Sequence, residues 1–77
     1  MRPTGATRAV NDRLNDRQRD VLNLLCKGMR NGEIGRELGI SERTVKAYVS
    51  QLFLIFDASN RTELVYRSSG LVAAREV

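Results

Sequence analysis

Hydrophobic positions between residues 14 and 70 recur at three- and four-residue intervals, the period of helices with one buried side. Val45, Val49, Leu52 and Phe56 step by four, three and four. They predict a long helix over residues 42–56, with Ser41 as its N-cap. Just before it, Ile34 and Leu38 lie four apart in a short segment, 32–38. Asn31 is placed to cap that segment, and Gly39 to end it in a left-handed conformation. Ile40 then plugs the corner. Upstream, Val21, Leu22, Leu24 and Leu25 give the inner side of a helix over residues 16–27, with Asn15 and Gln18 spaced as a capping box and Gly28 as its stop. Met29 packs over the turn that follows. Downstream, Asn60 and Glu63 repeat the box spacing ahead of a fourth helix, 61–69, whose inner face is Leu64 and Val65 and whose end is Gly70. The pattern predicts an all-α, four-helix bundle around a central helix-turn-helix.

Outside this core, residues 1–13 hold Pro3, Gly5 and three arginines without apolar period and read as a flexible basic tail or linker. Residues 71–77 read as a C-terminal tail that frays. The domain itself is residues 14–70. In 77 residues this is one small domain near the lower size for a self-sufficient core. No apolar run of membrane-spanning length and no secretory segment occur, so no membrane partner is expected and the cytoplasm is the expected compartment. The single cysteine, Cys26, sits in an apolar run and is expected to be a buried small hydrophobe.

The helix carrying Val45 to Phe56 has a second stripe opposite the apolar one: Arg43, Lys46, Ala47 and Ser50. Two cations and two small residues on one exposed helix face suit a DNA major groove. Net charge adds less. The chain carries +4, with +2 on residues 1–13 and +2 from nine cations and seven anions on residues 14–70. The folded part is therefore only mildly basic, and ordinary solubilising charge explains that number as well as nucleic acid does. The absence of histidine and of any cysteine cluster leaves no constellation for catalysis or metal binding, so neither an enzyme nor a cofactor is expected.

The segment LNDRQRDVLNLLCKGMRNGEIGRELGISERTVKAYVSQLF, followed by NRTELV, resembles the DNA-binding domain of the LuxR family, also called the NarL/FixJ or GerE type. The likeness covers about three quarters of the chain without gaps. It implies the four-helix output domain of a bacterial transcription regulator that binds double-stranded DNA, usually as a homodimer on paired half-sites. It further implies an upstream regulatory domain or RNA polymerase as partners, and residence on the nucleoid when bound. The third helix would enter the major groove and the fourth would form the dimer contact. By position, Arg43, Lys46, Ala47 and Ser50 would face bases. Asn31, Ser41, Thr44 and Tyr48 would meet phosphates, although Asn31 and Ser41 have a capping role first. Leu64 and Arg67 would lie at a protein interface.

Four departures from the family pattern stand out. Gln18 replaces a usual glutamate, and Tyr48 a common histidine. Gly35 replaces a small alanine, at a cost of about 1 kcal/mol in helix propensity. Leu54 and Ile55 replace a polar residue and a lysine, removing charge and adding apolar surface beside Phe53. That group supports an alternative function, a protein-interaction module binding a regulator or polymerase subunit through Phe53, Leu54 and Ile55. A sigma-factor-like promoter module shares the helix-turn-helix but gains nothing from the N-R-T start of the fourth helix.

Overall fold

The computed structural model describes the backbone of residues 13–76 and the side chains of residues 13–68. The expected tail over residues 1–13 lies outside the described residues except for Arg13. Four helices follow one another: α1 (Asp16–Cys26), α2 (Asn31–Leu38), α3 (Glu42–Phe56) and α4 (Arg61–Glu76). No strand occurs among the described residues. The all-α, four-helix architecture read from the periodicity is the one observed.

Capping explains where each helix starts. At α1 the box closes in both directions: Asn15 Oδ1 accepts from the Gln18 N–H at 2.7 Å, and Gln18 Oε1 accepts from the Asn15 N–H at 2.9 Å. Gln18 also donates from Nε2 to Gln51 Oε1 at 2.9 Å, tying α1 to α3 through the residue that replaces the usual glutamate. At α3, Ser41 Oγ accepts from the Thr44 N–H at 3.0 Å.

Two caps differ from expectation. Asn31 is the first residue of α2, not its cap. Arg30 holds the N-cap position, and its N–H is satisfied by the Glu33 carboxylate at 2.8 Å. At α4, Asn60 does cap by accepting from the Glu63 N–H at 2.8 Å. The Glu63 carboxylate, however, reaches one residue further back and accepts from the Ser59 N–H at 2.6 Å. That bond first, and the Arg67 guanidinium at 3.0 Å second, hold the Glu63 carboxyl below its ordinary range. Gly70 does not end α4 either, because the helix continues to Glu76. The residues after Gly70, LVAARE, are good helix formers without proline, which offsets one glycine.

The core joins all four helices. Leu14, Val21, Leu22 and Leu25 meet Ile34, then Val45, Val49, Leu52 and Phe56, with Leu64 from α4. Leu24, Met29, Leu38, Ile40 and Val65 pack around it, half-buried. Cys26 departs from expectation: it is exposed, with Sγ 3.3 Å from Ser68 Oγ. The apolar run continues past the inward stripe, and one step of about 100° beyond Leu25 turns Cys26 off the core side.

α3 ends on Asp57, which is held at φ 55° and is the sole non-glycine with positive φ among the described residues. That conformation is strained for a residue with a Cβ, and a carboxylate at a helix C-terminus opposes the helix dipole. Asp57→Gly is expected to raise stability by about 1 kcal/mol, read by urea denaturation. Asp57→Asn, which removes the charge but keeps the Cβ, is expected to recover about half of that.

Candidate nucleic-acid interface

The turn between α2 and α3 is set by two glycines that act differently. Gly39 supplies the left-handed C-cap of α2 at φ 71°. Gly35 supplies close approach: a Cβ built on it would lie 2.6 Å from the Ile40 carbonyl oxygen. Its own carbonyl accepts from the Ile40 N–H at 2.9 Å, so the turn is bonded down onto α2 at that point. The glycine expected to soften the scaffold helix therefore lets α3 begin closer to α2. Gly35→Ala is expected to destabilise the domain by up to about 2 kcal/mol net, since backbone overpacking of about 1–3 kcal/mol opposes a gain of about 1 kcal/mol in helix propensity. A denaturation curve for that variant at or above wild-type stability contradicts the close approach.

With α3 seated on its Val45–Phe56 side, the opposite face is open. Arg43, Lys46, Ala47 and Ser50 are all exposed. From Arg43 to Ser50 the face runs about 10 Å along the axis, within a major groove about 12 Å wide. Neither Arg43 nor Lys46 forms an ion pair among the described residues, whereas Arg17, Arg19 and Arg67 each have a carboxylate partner. The two charges on this face are thus uncommitted.

The residues assigned to phosphates divide. Ser41 and Thr44 are exposed and bonded to each other, hydroxyl to hydroxyl at 2.8 Å. Asn31 is half-buried, and its Oδ1 accepts from Arg61 Nη1 at 3.0 Å. Tyr48 is half-buried and packs against the core.

The apolar residues at the end of α3 differ in burial. Leu54 is 83% exposed and continues the Ala47–Ser50 face. Phe53 and Ile55 fall on opposite flanks of α3, about 100° to either side of Leu54, and both pack against the core. Leu64, expected at a protein interface, is fully buried in this chain's own core. Arg67 is exposed and paired with Glu63 at 3.0 Å.

Residues 12–68 match the model of a family described as bacterial regulatory proteins, luxR family. The chain belongs to the LuxR family. Membership places residues 12–68 among the DNA-binding domains of bacterial transcription regulators, not in an enzyme family. Among similar proteins, the two-component response regulator PprB of Pseudomonas aeruginosa is 48% identical over 52 residues, covering 68% of this chain and 19% of that protein. The putative HTH-type transcriptional regulator YhjB of Escherichia coli is 46% identical over 50 residues, 65% of this chain and 25% of its own length. The transcriptional regulatory protein DesR of Bacillus subtilis is 38% identical over 55 residues, 71% and 28%. This LuxR-family chain therefore spans about a fifth to three tenths of the length of these relatives. No solved structure matches it significantly.

Two residues at the starts of α2 and α4 escaped the sequence reading. Arg30 is exposed beside Asn31 and forms no ion pair among the described residues. Its basic side chain next to a helix start was the available signal. Arg61 was read only as the second letter of the N-R-T start, and nothing local announces a partner thirty residues away.

In the described residues no helix is long and apolar enough to cross a membrane, and no group of three metal-ligating side chains occurs.

Proposed function

We propose that this LuxR-family domain reads duplex DNA sequence-specifically by laying α3 in the major groove. The observation that carries the reading is the open face of α3, with two unpaired cations flanked by a methyl and a hydroxyl. Lys46 and Arg43 donate to guanine O6 or N7, Ala47 meets a thymine methyl, and Ser50 bonds a base edge. Asn31, Ser41, Thr44 and the Tyr48 hydroxyl position the protein on phosphates. The domain acts as a homodimer on paired half-sites, as the output part of a longer cytoplasmic regulator whose upstream domain or contact with RNA polymerase supplies control.

The test is a fluorescence-anisotropy titration against randomised duplex DNA over a salt series, with bound DNA carried forward for sequence selection. Steep salt dependence with an enriched two-fold-symmetric sequence is the expected result. Salt-dependent binding without enrichment removes sequence specificity. No binding at low salt sinks the reading and leaves the exposed Leu54, and with it a protein partner, as the favoured alternative.

A further inference from the structure

Arg61 joins three parts of the molecule. From the first turn of α4 its guanidinium donates through Nη2 to the Met29 carbonyl, in the turn after α1, and through Nη1 to Asn31 Oδ1 at 3.0 Å, on the first residue of α2. An asparagine amide carries its acceptor and its two donors on opposite corners, and nothing in the residue itself selects which corner faces outward. Arginine donates only, and its planar fork has a fixed geometry. The bond to Arg61 therefore admits one orientation of Asn31: oxygen inward, NH2 away from Arg61. Among the described residues the Asn31 NH2 has no hydrogen-bond partner, and no buried side-chain nitrogen or oxygen is left unsatisfied. The donor end is thus available at the surface where α2 begins.

We propose that Arg61 is a positioning residue for DNA binding: it fixes the Asn31 amide with its donors turned out to a backbone phosphate. This rests on the proposed function and adds to it a link from α4 to the phosphate contact at α2. A phosphate oxygen only accepts, so an amide free to turn its own oxygen outward would repel it in half of its orientations. Arg61 places one Nη1 donor on Asn31 and one Nη2 donor on Met29, so on this proposal it acts through Asn31 and not by a phosphate contact of its own.

The experiment compares wild type, Asn31→Ala, Arg61→Ala and the double variant by anisotropy on one mixed-sequence duplex across a salt series, with thermal melts by circular dichroism. Binding by the wild type is read first. Its failure to bind any duplex removes the proposed function, and this inference with it, before a variant is tested. Given binding, Asn31→Ala is expected to weaken affinity about three- to tenfold, the worth of one net hydrogen bond, and Arg61→Ala by at least about twofold but no more than Asn31→Ala. The double variant is expected to be no weaker than Asn31→Ala, since without the amide Arg61 has nothing to position, and the slope of log affinity on log salt to stay at the wild-type value. A slope lowered by about one makes Arg61 a direct phosphate contact and overturns the proposal. So do losses that multiply in the double variant, which a merely structural Arg61 would give, and so does wild-type affinity in Asn31→Ala. If Arg61→Ala melts below the assay temperature, the same cycle is run with Arg61→Lys, which keeps the charge but not the fork. Non-multiplying losses with Asn31→Ala support positioning, and wild-type affinity in Arg61→Lys overturns it.

Discussion

Truncating Leu64 to alanine is expected to cost about 2–5 kcal/mol of folding stability, as for other fully buried leucines. Leu64 is completely enclosed, and among the described residues it is the one α4 side chain in the fully buried core. The remaining side-chain ties of α4 are half-buried or exposed: Arg61 to Met29 and Asn31, Ser68 to Cys26, and Val65 against the core. Removing the leucine leaves a void beneath α4 that those ties cannot close. A chain of this size has a total stability of about 4–12 kcal/mol, so the loss is a large share of the whole. Urea denaturation followed by circular dichroism checks it, with a lowered midpoint that does not depend on protein concentration. The concentration arm matters because a leucine at a dimer contact gives a different pattern: a loss that is greatest at high concentration and vanishes on dilution, where the monomer keeps its stability. A concentration-dependent loss would place Leu64 at an interface and contradict its burial.

The Leu64 assignment shows what was and was not legible in the sequence. Its place on the inner side of the fourth helix followed from periodicity, while its place at a protein interface followed from family likeness alone; burial decides for the first. Periodicity works because 3.6 residues per turn ties each side chain to a face once a helix exists. It put Val45, Val49, Leu52 and Phe56 inside, and Arg43, Lys46, Ala47 and Ser50 outside. The box at Asn15 and Gln18 was legible because both partners lie within one turn. What failed depends on distance across the fold. The approach of the Ile40 carbonyl to Gly35 is a property of how the turn folds back, and helix propensity has no access to it. The bond from Arg61 to Asn31 spans thirty residues, so no local pattern announces it. Leu54 and Ile55 are adjacent in sequence, yet Leu54 is exposed while Ile55 packs against the core, so a run of apolar letters is divided between two environments.

Lys46→Ala is expected to weaken binding to the selected DNA site by about 1–3 kcal/mol, roughly 5- to 150-fold, while random DNA loses much less. Lys46 is exposed and unpaired among the described residues, so its removal should change folding stability by no more than about 0.5 kcal/mol. Affinity lost in this variant can therefore be assigned to the DNA contact and not to a damaged helix. Anisotropy on specific and random duplexes, each over a salt series, separates the two roles a lysine can have. A base contact costs specific affinity chiefly. A phosphate contact costs both duplexes alike and lowers the salt slope by about 0.9. Leu54→Ser supplies the control on the same face: about 6 Å beyond Ser50 along the axis, it tests apolar contact without touching charge. Unchanged DNA affinity in Leu54→Ser beside the loss in Lys46→Ala assigns the face to nucleic acid. The reverse, with Lys46→Ala silent and Leu54→Ser abolishing association with a protein, would transfer α3 to the interaction-module reading, because charge would then be idle where an apolar side chain acts.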